Sequence, residues 1–251
     1  MISFGVPLKL PETYQDLVKG WLFLIDKPLH WTSFDVVNKM KGHLKSLKKR
    51  QPQELQVFNV KVGHAGTLDP LATGLLLVCV GKKTKEIDQL QGGVKIYSGI
   101  IKMGQVTPSF DLETNPEGDF PYAHLTTQDY LLNAKSFLGE QWQTPPIYSA
   151  KQIDGKRAYE LARKGVEVEM RKSLISIEQF ELTKIDPPHL HFSITCSKGT
   201  YIRSVANDFG KRLSSGSYLA SLRRESSAPF VVQNAFSMEE ISDFFEKMKN
   251  N

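Results

Sequence analysis

The chain has 251 residues, 40% hydrophobic and 24% charged, an ordinary globular composition with ample material for a core. No run approaches membrane-spanning length, and Met1 to Pro7 lack a basic region followed by a long apolar one, so a soluble, unexported, cytoplasmic protein is expected. A net charge of +5 and a sequence pI near 9.0 favour a polyanionic partner without specifying one.

Trp21 to Ile25 predicts a strand ending at Asp26-Lys27-Pro28. Thr32-Ser33 then offer helix caps, and Phe34, Val37, Met40, Leu44 and Leu47 recur at helical spacing, so an amphipathic helix with a basic outer face follows. Gly63 to Gly74 places one carboxylate, Asp69, among glycines, a histidine and an apolar run. Standing before Pro70, Asp69 is biased toward a turn or extended backbone. Leu75 to Val80 reads as a strand buried on both faces, which brings Asp69 near the core, where a carboxylate needs a partner or a chemical task. Two readings stand for it at this point: a side chain capping its own turn, or a reactive group. A phosphate-loop reading fails, because Leu75 follows Gly74 where Lys-Ser/Thr would be needed, and no Gly-x-Gly-x-x-Gly opens a helix.

Val94 to Met103 is a strand, in which Tyr97 has small residues after it; a tyrosine with space beside it can stack a base, and it can equally be a core residue. Thr126 to Leu138 predicts a helix ended by Gly139, and Lys156 to Lys164 a short helix stopped by Gly165. Leu190, Phe192, Ile194 and Cys196 alternate with polar residues along a strand. Arg203 then opens a helix over Ser204 to Leu213, where the macrodipole disfavours a cation unless an anion compensates. A carboxylate, a phosphate or plain solvent could serve. Ser237 and Glu240 form a capping-box pattern that starts a helix running to about Met248.

The mixture lacks a regular βαβ rhythm and implies an α+β fold with a mixed or antiparallel sheet. Asp111 to Asp119 and Thr183 to Pro188 are turn-rich, but neither is long enough for a linker, so residues 1–251 read as one catalytic-size domain. Cys79 and Cys196 fall in apolar strands and read as buried free thiols; no metal-ligand spacing appears. Lys39, Lys41, Lys45, Lys48, Lys49 and Arg50 crowd one segment, Lys82, Lys83 and Lys85 another, and Arg223-Arg224 a third. His64 could be a polar loop residue, a general base or a stacking ring.

In order and spacing, these pieces resemble the TruB family of tRNA pseudouridine synthases. The likeness runs through Leu24 to Ser33, Gly63 to Lys85 around Asp69, Pro146 to Lys151, Gly155 to Val168, Cys196 to Arg203 and Leu222-Arg223-Arg224, spanning roughly residues 20–235. It implies the pseudouridine synthase fold, a mixed, mainly antiparallel sheet flanked by helices and loops. It implies isomerisation of a uridine in the T loop of tRNA (position 55 in tRNA numbering) with the base flipped into a pocket, and no cofactor or metal.

By resemblance Asp69 is the nucleophile, attacking the ribose or the base or supporting glycal formation; Arg203 pairs with it, and Tyr97 stacks on the flipped base. His64, Tyr201, Leu222, Lys27, Gly66 and Thr67 make up the substrate-binding set. Lys82, Lys83, Lys151, Lys198, Arg223 and Arg224 are expected to contact RNA, and residues 145–171 to form a loop that folds over the tRNA. The partner implied is the tRNA T arm, bound by a monomer with no obligate protein partner and, within 1–251, no PUA domain. Three departures stand out: Thr107-Pro108-Ser109-Phe110-Asp111 lacks the first acid of the family's Thr-Asp-Thr, His30 replaces a glycine, and residues 43–57 look like a basic insertion. An RNA-binding or tRNA-folding protein, or a synthase acting on another RNA, are the competing readings.

Overall fold

The computed structural model describes residues 10–149, 152–153, 156–157 and 170–250. Its strands are β1 (Trp21–Lys27), β2 (Val62–Ala65), β3 (Ala72–Val80), β4 (Lys95–Met103), β5 (Gly139–Gln143), β6 (Gln152–Ile153), β7 (Lys156–Arg157), β8 (Ser173–Asp186), β9 (His189–Cys196), β10 (Ser217–Ser227) and β11 (Phe230–Val231). The chain divides into two compact units, Met1–Lys95 with Arg223–Asn251, and Ile96–Leu222.

In the first unit β3 is the central strand. β1 runs antiparallel to it from Trp21↔Val80 to Lys27↔Gly74, β2 pairs with its second half, and the end of β10, carrying β11, also lies beside it. Leu75 to Val80 are fully buried. The reason is that both faces are covered: Leu22, Leu24, Leu75, Leu77 and Cys79 pack with Val232, while Phe23, of opposite parity on β1, meets Phe244 and Phe245 at ring distances of 6.2 and 6.1 Å.

The helix Ser33–Lys48 begins at Thr32 with a complete capping box to Asp35. Val36, Val37, Met40, Leu44 and Leu47 face inward as the periodicity requires. Phe34 does not: it is 59% exposed, because Ser33 occupies the inward position of that turn. His43 stacks on Phe245 of the C-terminal helix Met238–Asn250 at 5.1 Å, and that helix starts with the expected reciprocal Ser237–Glu240 bonds.

The second unit orders its strands β10-β4-β9-β8-β5. A long antiparallel pair, β8 with β9, carries Phe180 and Phe192; Phe180 meets Phe192, Phe137 and Phe209 in an aromatic cluster to which the helix Ile202–Arg212 contributes Phe209, while the helix Thr127–Lys135 precedes Phe137. The fold is α+β, as the lack of βαβ rhythm implied, and both cysteines are buried free thiols.

Three boundaries differ from the sequence expectation. The helix from Thr127 stops at Lys135, where the Ser136 N–H turns back to the Leu132 and Asn133 carbonyls; Gly139, at φ +93°, opens β5 and does not cap the helix. Thr183 to Asp186 continue β8, and only Pro187-Pro188 make the turn. Lys156–Arg157 pair with Gln152–Ile153, so no helix begins at Lys156; residues 158–169, including Gly165, lie outside the described residues.

Candidate active site

Asp69 sits half-buried on the loop between β2 and β3. The residue before it is held at both backbone groups by one side chain: Leu68 N–H donates to Ser33 Oγ at 2.8 Å, and Ser33 Oγ–H donates to the Leu68 carbonyl at 3.1 Å. Ala72 N–H donates to the Asp69 carbonyl at 3.1 Å, and His30 N–H to that of Pro70 at 2.8 Å. His30, at φ +66°, takes the left-handed conformation that the family's glycine there would adopt freely. The loop is therefore a shaped one, fixed mainly through its backbone.

Lys27 is fully buried beneath this loop, its ammonium donating to the carbonyls of Pro28 (3.0 Å) and Trp31 (2.5 Å). Burial pulls its pKa down to about 8, and Asp69 is the strongest opposite charge acting against that fall. The expected substrate contact is thus a buried cation facing the candidate carboxylate. His64, on β2 opposite Val78, is half-buried and its Nδ1 has no hydrogen-bond partner among the described residues; burial, then the Arg224 charge, lower its pKa and keep it neutral. Gly66, at φ +88°, makes the turn, and Thr67 is exposed.

Arg223 and Arg224 were expected together at the RNA surface, and the structure separates them. Arg223 is partly exposed and forks onto Asp26, Nη1–Oδ1 at 3.0 Å and Nη2–Oδ2 at 2.7 Å. Arg224 is 1% exposed: its Nε donates to the Leu75 carbonyl at 2.7 Å and its Nη2 to that of Gly66 at 3.1 Å. It is a buried strut of the Asp69 loop and not a surface contact. Alternation along β10 is the cause, since neighbours on a strand point to opposite faces. Gly74, at φ +101°, is required by the same crossing, because a Cβ there would run into the Arg224 backbone.

In the second unit Arg203 lies in the first turn of its helix and is 3% exposed. The anion demanded by the helix dipole is supplied within this unit by Asp111, whose Oδ2 is 3.6 Å from Arg203 Nε, and Nη1 donates to the Ser109 carbonyl at 3.3 Å. The Thr107 to Asp111 segment, which lacks the family's first acid, keeps this second one. Tyr201 is the N-cap residue, and its backbone is gripped by the Gln143 amide: N–H to Oε1 at 2.8 Å, carbonyl from Nε2 at 3.0 Å. Ser204 Oγ donates to the Thr144 carbonyl at 2.8 Å. The contacts of Gln143, Ser109 and Asp111 with this helix start were not legible in the sequence, because nothing local marks a polar group that serves a helix start roughly sixty to ninety residues away.

Tyr97, on β4, is 8% exposed. Two residues on, Gly99 is tightly packed: a Cβ there would collide with the Ser221 carbonyl and the Phe192 ring. Leu222 is half-buried and Lys198 exposed on the turn after β9. Lys82 is exposed, whereas Lys83 pairs with Glu86 at 2.6 Å. Lys151 and most of the 145–171 loop lie outside the described residues. Among the described residues no group of three or more His, Cys, Asp or Glu is placed to hold a metal ion, and no helix is long and apolar enough to cross a membrane.

Comparisons with known proteins agree on one family. A model described as TruB family pseudouridylate synthase (N terminal domain) matches residues 53–202. A protein of Parabacteroides distasonis named tRNA pseudouridine synthase B is 45% identical over 232 residues, 92% of this chain and 96% of its own. Its namesake from Flavobacterium johnsoniae is 48% identical over 228 residues, 91% and 96% of the two chains. Among solved structures, a chain of a Cbf5-Nop10-Gar1 complex superposes on the whole of this chain with a TM-score of 0.68 at 24% identity, with 62% of that longer chain covered, which speaks to a shared fold.

Proposed function

The chain belongs to the TruB family of pseudouridylate synthases, and on that premise we infer that it isomerises uridine to pseudouridine in tRNA. The reaction breaks the bond between base N1 and ribose C1′ and forms one from C5 to C1′; C5 loses its hydrogen and N1 gains one, so nothing enters or leaves overall. The target is the T-loop uridine at tRNA position 55. A base in a folded loop must be flipped out before it can be reached, at a cost of a few kcal/mol that protein contacts offset.

Asp69 is the nucleophile. Attack on C1′, attack on the base and glycal formation all require its ionised carboxylate. The observation that supports this role most is its setting: a loop held at Leu68 by Ser33 and at Gly66 by Arg224, above the buried ammonium of Lys27. Rigid placement plus a nearby cation is what a reacting carboxylate needs. Tyr97 stacks on the flipped base, and Arg203, held by Asp111 and Ser109, supplies a guanidinium to the same reaction, both by family resemblance. His64, Tyr201, Leu222, Gly66 and Thr67 line the substrate, and the 145–171 loop covers the T arm.

The chain crosses between its two units inside β4, at Lys95 to Ile96, and inside β10, at Leu222 to Arg223. Crossings within strands, not linkers, support a single catalytic domain. We assign it to the cytoplasm, a reading its buried free thiols support, and expect it to act as a monomer.

The test is release of the C5 hydrogen from labelled uridine in tRNA, with mapping of the modified position. Asp69→Asn should bind tRNA within about threefold of the parent and lose at least about a thousandfold in rate, about 4 kcal/mol of barrier. A fully active variant would remove Asp69 from the mechanism.

A further inference from the structure

Away from the Asp69 loop, the first unit holds a groove of about 540 Å³ between the helix Ser33–Lys48 and the segment leading into β2. Lys41, Lys45 and Lys48 line it from the helix, Lys61 arrives from the other side, and Asn59 and Tyr14 complete its polar lining. No acidic residue lines it, and none of the four lysines is in an ion pair among the described residues. Tyr14 is 3% exposed, and its hydroxyl has no hydrogen-bond partner among the described residues. A solvated basic helix face would explain three lysines in a row. It does not explain a concave site to which a fourth lysine is brought from a separate segment.

We propose that this groove binds the phosphate backbone of the tRNA, as a second contact remote from the reacting uridine. Its ligand as tRNA rests on the function proposed above. Like charges gathered without counter-charges raise the local potential and favour a polyanion. Their layout is extended: Lys41 to Lys48 cover about 10 Å of helix, which suits successive phosphates of a chain better than one compact anion. The groove begins about 12 Å along the helix from Ser33, whose side chain holds the residue before Asp69. The role of the basic insertion at 43–57 is then to bring the chain back so that Lys61 closes the groove.

The test compares two triple variants of the full chain in their binding of full-length tRNA between about 50 and 200 mM salt. Lys45→Gln/Lys48→Gln/Lys61→Gln should raise Kd about tenfold and reduce the slope of log Kd against log salt by about 2, from three lost contacts at about 0.7 each. The control Lys19→Gln/Lys135→Gln/Lys247→Gln removes the same net charge from exposed sites elsewhere and should move neither quantity appreciably. A triple exchange of the groove lysines to arginine should keep parental binding, which guards against a folding artefact. Equal losses in both glutamine triples, or no loss in the groove triple, overturn the proposal. Failure of the catalytic reading is distinct: the parent protein would then form no pseudouridine, whatever its affinity.

Discussion

The loop bearing Asp69 and the helix start bearing Arg203 solve the same problem in opposite ways. The aspartate is half-buried, and it is positioned through neighbouring backbone groups: Leu68 by Ser33, Gly66 and Leu75 by Arg224. The arginine is nearly fully buried and is held by its own side chain, on Asp111 and the Ser109 carbonyl. Around the aspartate, side chains of neighbouring elements fix the loop backbone. A group that must present a charge can be restrained directly. The difference also predicts where damage falls: chiefly on stability at the Arg203 helix start, and on stability together with rate at the Asp69 loop.

The largest stability effect should come from Asp111→Ala, which takes a carboxylate away from a buried guanidinium; we expect about 3 to 5 kcal/mol in urea unfolding. If the loss stays below about 1 kcal/mol, the ion pair is not what holds Arg203. Arg224→Met should cost about 2 to 4 kcal/mol, since the Gly66 and Leu75 carbonyls lose their donor, and should lower the rate as well. Ser33→Ala should destabilise by about 1 to 3 kcal/mol and cut kcat roughly 10- to 100-fold, with tRNA affinity unchanged. A change in affinity with kcat intact would show that the loop serves binding and not chemistry.

The smallest effect is a pH dependence. The folded protein releases the Lys27 proton near pH 8, the unfolded chain near 10.5, so between those values the unfolded state binds more protons. Stability from this group therefore rises with pH across that window, while the cation facing Asp69 disappears. We expect kcat/KM to fall along an alkaline limb with an apparent pKa near 8. That limb should vanish in Lys27→Arg, whose guanidinium stays charged.

What could be read from the chain beforehand was the local part. The strand Trp21 to Ile25, the buried run Leu75 to Val80 and the caps at Thr32 and Ser237 are written in adjacent residues, and the structure has them there. Arg203 was found because a cation at a helix start is locally anomalous. That Asp111 lies against it was not legible, because the two are some ninety residues apart. Arg223 and Arg224 are chemically alike, and only strand parity, invisible without the pairing of β10 to β3, makes one a surface fork and the other a buried strut. That Gly99 must be small because a neighbouring strand and the Phe192 ring fill the place of a side chain shows only in the packing.

Ser33 stands at the first position of a sixteen-residue helix and clasps the residue next to Asp69. The helix is about 24 Å long, and its far end carries the lysine groove. One rigid rod thus spans from the hydroxyl that fixes the backbone before Asp69 to the basic surface, so the two places share a single scaffold.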